Sequence, residues 1–175
     1  MGSVSSLSED SSSRLGQLWD WGDSKWPFEK VEVFETTESV PSLAITFDQL
    51  WFIAKHHLPP KDAEGFRERN RQLDDLAQRV GDADSTVDSP TLVVGDLKLM
   101  PWSPIFTSFE VASGLRRAVT KGGGFTPTWY ARTDYPWWPF GLALDHVLIS
   151  SDLRFVSYHV DSHVGSDHRP VSPGS

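Results

Sequence analysis

Residues 29–35 (EKVEVFE) alternate charged and apolar side chains, the period-two pattern of a strand with one face in a core. Residues 42–54 (SLAITFDQLWFIA) read as two strands around a turn at Asp48-Gln49, and Pro59-Pro60 stops the sheet. The period then changes. Over residues 62–80, Phe66, Leu73, Leu76 and Val80 fall at helical spacing, with Asp62 placed to cap the first turn. Residues 81–90 are polar and predict a loop. Thr91 to Val94 form a short β-branched run typical of a buried strand, which delivers Gly95-Asp96 at its end. Ser103 can cap a helix from Pro104 to about Ala112, with Pro104 at its first position and Gly114 just past its end. Residues 142–150 and 154–160 predict the last pair of strands, and Asp167-His168 lie in a turn before a short strand at Pro170-Val171. The pattern is mixed α and β with no internal repeat.

Composition bounds this picture. At 175 residues, with 38% hydrophobic and 12% aromatic side chains, the chain is long enough for one domain with a real core. Residues 1–20 are the exception: the first thirteen include seven serines, which predicts a disordered tail. No signal-peptide pattern and no apolar run near the roughly 18 residues needed to span a bilayer is present, so a soluble protein, cytoplasmic by preference, is expected. A net charge of -8 disfavours nucleic acid as a partner and favours small phosphate esters, because nonspecific nucleic-acid binding draws on basic surface. Arg67, Arg69, Arg71 and Arg79 on the long helix, and Arg116, Arg117 and Lys121 later, are expected to be solvated faces. Without cysteine, disulfides, thiolate metal sites and cysteine nucleophiles are excluded. The run Gly122-Gly123-Gly124 lacks the Gly-Lys-Ser/Thr helix start of a phosphate loop.

Three Asp/His-bearing turns carry the candidate chemistry: Gly95-Asp96-Leu97, Leu144-Asp145-His146-Val147 and Gly165-Ser166-Asp167-His168-Arg169-Pro170. Hydrolysis of a phosphate ester needs a deprotonated water, a divalent cation on the phosphoryl oxygens and donors for developing charge. Histidine suits the first task because its ordinary pKa, about 6.5, lies near working pH, and a carboxylate on its other nitrogen fixes the tautomer. Hard carboxylate oxygens suit Mg or Mn. His168 is therefore the candidate base, Asp145 its orienting partner, and Asp96 and Asp167 the candidates for metal or nucleophile.

These turns stand in order with His56-x-x-Pro59-Pro60, Arg69-Asn70-Arg71-Gln72-Leu73, Pro101-Trp102-Ser103-Pro104, Gly114-Leu115-Arg116 and Thr126-Pro127-Thr128-Trp129. Together they resemble the endonuclease/exonuclease/phosphatase superfamily, and more narrowly its bacterial members with a proline-rich segment after the first histidine. The resemblance implies an α/β fold, a partial two-sheet β-sandwich flanked by helices. It implies that His168 activates water or contacts the phosphate, that Asp145 is hydrogen-bonded to it, that Asp167 and Asp96 serve the metal (Mg or Mn), and that His56 contacts phosphate. His57 is an alternative to His56. No role in the family pattern falls on His146, His159 or His163, and Trp102, Trp129, Trp137 and Trp138 are expected to be packing residues.

Two departures accompany the match. The family pattern has Asn two residues after the aspartate of its Gly-Asp-x-Asn turn; here that position is Lys98, which offers a cation and no amide, and would contact substrate. The resemblance runs from Ser24 to Val171 and covers only the C-terminal half to two thirds of the family domain, so that residues 24–173 form a truncated domain without the strands that carry the metal-anchoring Glu. The expected function is a metal-dependent phosphoesterase, weak or inactive as this chain. The alternatives are a catalytically dead interaction module or an incomplete domain that needs a partner chain. Truncation of a sandwich also predicts exposed Val31, Val33, Leu43, Ile45, Trp137 and Trp138 and self-association, and the Lys98 ammonium is expected near the aspartate cluster, where it partly replaces the charge of a metal and makes metal binding weak.

Overall fold

The computed structural model describes residues 29–35, 41–47, 50–84, 89–119, 125–131 and 141–174. The serine-rich segment, Trp137 and Trp138 lie outside the described residues. Among the described residues, ten strands and two helices follow in order: β1 (Lys30–Glu35), β2 (Pro41–Phe47), β3 (Leu50–His56), α1 (Ala63–Asp84), β4 (Thr91–Asp96), α2 (Pro104–Ser113), β5 (Arg116–Arg117), β6 (Trp129–Tyr130), β7 (Gly141–Leu142), β8 (Asp145–Ile149), β9 (Tyr158–Val160) and β10 (Val171–Pro173). Six strands make one mixed sheet in the order β1-β2-β3-β4-β8-β5, and β9/β10 and β6/β7 form two small antiparallel pairs. This is the expected α/β architecture, a partial sandwich flanked by helices.

The three central strands set the geometry. β3 and β4 are parallel, joined through α1, and β8 runs antiparallel to β4. Their register aligns Ile53, Val93 and Leu148 in one row, each 0% exposed. These side chains share a core with Leu73, Leu76, Ala77 and Val80 of α1 and Phe106 and Phe109 of α2, so both helices cover this face. Burial of each such aliphatic is worth roughly 1.5–3 kcal/mol.

Helix α1 starts where its cap predicts: the Gly65 N–H donates to Asp62 Oδ1 at 2.7 Å. It runs on through Gly81 to Asp84, into the segment expected to be a loop. Its buried stripe also differs at both ends. Phe66 is 44% exposed, whereas Arg69, expected in solvent, is 3% exposed. Arg79 is likewise not a free surface charge, since its guanidinium lies 4.1 Å from the Phe34 ring centroid and 3.4 Å from Glu32 Oε2. In α2, Pro104 opens the helix and Gly114 closes it at φ 71°, while Ser103 makes no side-chain cap bond.

Two further expectations are corrected. β8 and β9 are not partners: β8 inserts between β4 and β5, and β9 pairs with β10. Local periodicity identifies a strand and says nothing of its neighbour. Nor do the apolar β1/β2 side chains stand exposed. Ala44 and Ile45 point to opposite faces yet are 1% and 3% exposed, so both faces of β2 are covered there, and Val31, Val33 and Leu43 are half-buried.

Gly95 is the tightest point of the central sheet. Its φ is 146°, and a Cβ there would lie 1.7 Å from the Lys55 carbonyl oxygen. Gly95→Ala is expected to lower stability by at least about 3 kcal/mol, at the upper end of single-site effects. Denaturant unfolding of the two proteins measures it, and a loss below about 1 kcal/mol would contradict the close approach.

Candidate active site

Three residues along each strand from the Ile53/Val93/Leu148 row, on the other face of the sheet, the same register aligns His56, Asp96 and Asp145 on β3, β4 and β8. The ends of two parallel strands and the start of an antiparallel one thus place three candidate site residues side by side. His56 Nε2 is 3.8 Å from Asp96 Oδ2. His56 is exposed and stands at the carboxylate row, whereas His57 is 0% exposed on the helix-covered face.

His168 arrives from the loop before β10. Its backbone N–H donates to Ser166 Oγ at 3.1 Å, and the loop is latched to β6 on both sides of it. The Tyr130 N–H donates to the Asp167 carbonyl at 3.0 Å, and the Arg169 N–H donates to the Thr128 carbonyl at 2.7 Å. Thr128 Oγ1 also accepts the Asp145 N–H at 3.2 Å, so one segment orders both His168 and Asp145. The imidazole then bridges two carboxylates, with Nδ1 2.8 Å from Asp145 Oδ2 and Nε2 3.3 Å from Asp96 Oδ2. Nδ1–H donates to Asp145, which leaves Nε2 as the nitrogen available for proton transfer.

Among the described residues, Asp96, Asp145 and His168 are the group that can hold a metal, with ligand atoms all within 4.8 Å of one another. Asp96 is 6% exposed and already engaged. Its Oδ1 accepts the Lys98 backbone N–H at 2.9 Å, and its Oδ2 contacts the Lys98 ammonium. Asp167 is held elsewhere: its Oδ2 accepts the Trp129 indole N–H at 2.9 Å. That bond, with the charges of His168 and Lys98 adding to it, holds the Asp167 carboxyl below the usual carboxylate range. Trp129 therefore has a tie to the site that its expected packing role did not include.

The remaining histidines stand apart. His146 is buried on the opposite face and donates Nε2–H to the Leu99 carbonyl at 2.8 Å, which fixes the chain just after Lys98. His159 pairs with Asp161 at 3.0 Å. Trp102, expected to pack, is 65% exposed; with Phe125, 5.5 Å away between ring centroids, it lines an open groove beside Arg116 and Arg117.

The model of the Endonuclease/Exonuclease/phosphatase family matches residues 9–168. The chain belongs to that family. The match starts well before Ser24, so the expectation that only the C-terminal half to two thirds of the family domain is present is overturned: membership extends over nearly the whole chain. The fold is similar to that of the 3' phosphatase NExo from Neisseria, with a TM-score of 0.67 and 18% identity over 85% of this chain and 71% of that one. It is also similar to beta toxin from Staphylococcus aureus (TM-score 0.62, 18% identity, 85% and 64% covered) and to an endonuclease/exonuclease/phosphatase from Beutenbergia cavernae (0.63, 22%, 85% and 45%). No curated protein matches the chain. No helix among the described residues is long and apolar enough to cross a membrane.

Three buried basic side chains, Lys55, His57 and Arg69, lie directly behind the carboxylate row. Neither ring nitrogen of His57 finds a hydrogen-bond partner among the described residues, and its backbone N–H donates to the Asp96 carbonyl at 3.0 Å. Burial, with the charges of Lys55, Arg69 and His56 adding to it, pushes its pKa down to about 3. The unfolded imidazole takes up a proton below about pH 6.5 and the folded one does not, so stability is lost as pH falls from about 6.5 toward 3, at up to about 1.4 kcal/mol per pH unit. His57→Leu should remove this component. Unfolding free energies of the two proteins at pH 7 and pH 4.5 measure it, and parallel pH profiles would show that His57 is solvated.

Proposed function

We propose that the chain is a metal-dependent phosphoesterase that hydrolyses phosphodiester or phosphomonoester bonds. The observation that carries this reading is the two-carboxylate clamp on His168, which leaves a correctly oriented imidazole nitrogen beside a cluster of hard oxygen donors. In this scheme Asp145 fixes the His168 tautomer and stabilises the imidazolium, and His168 Nε2 takes a proton from the attacking water. Lys98 and His56 contact the phosphoryl oxygens. Asp167, anchored by Trp129, adds negative charge on the metal's side.

The donor set fits a divalent ion of the Mg or Mn kind. Two carboxylates and an imidazole converge, and with Nδ1 donating to Asp145 the lone pair of Nε2 faces the Asp96 carboxylate, an arrangement that calls for a proton or a cation between them. Asp96 and Asp145 would hold the ion, with His168 at its edge. A bound divalent ion supplies charge stabilisation to the phosphoryl oxygens and lowers the pKa of water. The chain's net charge of -8 favours small phosphate esters over nucleic acid as substrate.

The contact of Lys98 with Asp96 supports a second reading, a module that binds phosphate esters without turnover. One assay separates the two: a panel of phosphomonoesters and phosphodiesters with Mg, with Mn and with chelator. Metal-dependent turnover is expected, reduced about a hundredfold or more in His168→Ala and about ten- to a hundredfold in Asp145→Asn. Undiminished turnover in His168→Ala would sink the site assignment, and binding without turnover in any metal would select the module.

A further inference from the structure

We propose that Lys98 is a tethered cation that occupies Asp96 in competition with a divalent ion and thereby sets a weak metal affinity for this site. The proposal rests on the reading above only for where the ion would sit, and does not require turnover.

The contact is built, not incidental. Lys98 is 13% exposed at its side chain and Asp96 is 7%, so the pair is largely withdrawn from the solvent screening that makes surface lysines interchangeable. Lys98 is also the only non-glycine residue at positive φ among the described residues, at 51°. Lysine does not favour that region, at a cost of roughly 1 kcal/mol or more, so the turn must hold it there. Two bonds do so. The Lys98 N–H donates to Asp96 Oδ1 at 2.9 Å, and the Lys98 carbonyl accepts Arg69 Nη1–H at 2.7 Å. Arg69 is itself 3% exposed, its Nε donating to Asn70 Oδ1 at 2.9 Å and its guanidinium 4.9 Å from the Phe66 ring centroid. A buried arginine thus clamps the backbone that aims the ammonium.

The consequence concerns ion binding. Asp96 Oδ1 already accepts a backbone N–H, and Oδ2 contacts the ammonium. A divalent ion ligated through Oδ2 must displace the ammonium, which the turn then leaves half-buried beside like charge. Both terms act against the ion, and removal of the ammonium removes both.

The test titrates Mn into the full chain and reads free Mn by electron paramagnetic resonance, with no substrate present. The native protein should bind with a dissociation constant near millimolar. Lys98→Met and Lys98→Asn should each bind at least about tenfold more tightly, about 1.4 kcal/mol; asparagine tolerates the positive φ and keeps the test valid if methionine unsettles the turn. The gain should vanish when Asp145→Asn is added, which places the ion at this cluster. In the native protein the Lys98 amine, followed by reductive methylation with labelled formaldehyde, should become more reactive as Mn saturates. Native affinity already micromolar, no gain in either variant, no binding in any of them, or a gain indifferent to Asp145→Asn would each overturn the proposal. A failed assay panel with a positive titration would reject the hydrolase reading and leave this inference standing.

Discussion

The pairing register of β3, β4 and β8 is the constraint on which the site depends. Strand side chains alternate between faces, so a slip of one residue in β4 would turn Asp96 toward the helices and put Leu97 in the carboxylate row. What pins the register is the other face, where Ile53, Val93 and Leu148 meet in one row with no exposed surface. The free energy of that hydrophobic row is spent on position as much as on stability. Gly95 completes the arrangement between the two rows, because only a residue without a side chain allows β4 to approach the Lys55 backbone one step before Asp96.

The charges on the two faces answer one another across the sheet. In front stand Asp96, Asp145 and Asp167; behind Asp96 stand Lys55, His57 and Arg69, all buried. Burial of Lys55 pushes its pKa down to about 8, and the charge of Asp75 opposes that shift. His57 stays neutral near neutral pH under the same burial, which leaves Arg69 as the cation of this layer that cannot be deprotonated. Its hydrogen bond goes to the Lys98 carbonyl, so the permanent charge behind the sheet is tied to the movable charge in front of it.

Much of this was legible in the chain, and the reasons for the rest are physical. Thr91 to Val94 followed by Gly-Asp announced a buried strand that delivers a carboxylate at its end, and Asp62 announced the start of α1, because both signals are local. The choice between His56 and His57 was not local. It turns on the parity of β3, fixed only when Ile53 finds Val93. Arg69 carried an overlooked signal: with Leu73, Leu76 and Val80 it falls at spacings of four, three and four, on the buried stripe of the helix. Its charge pointed to solvent while its position pointed to the core. Trp102 erred in the other direction, as size and apolarity argued for burial and the chain left it open. The extent of the family match was misjudged because recognisable motifs begin late in the chain, although the family pattern begins at residue 9.

Why a lysine sits at a strained position is the last link. At φ 51° asparagine or glycine would be at ease, and neither would give the Asp96 carboxylate a cation. A carboxylate that is 6% exposed has lost most of its hydration and calls for a compensating partner, whether a bound cation or the protein itself. Lys98 supplies that compensation permanently, and the strain in its backbone is offset by the Arg69 hydrogen bond and the ion pair together. The turn is therefore self-sufficient: it sets a cation of the protein against a buried carboxylate without recourse to solution ions. The same sufficiency sets the terms on which any solution ion can enter, since it must offer Asp96 more than a lysine already in place.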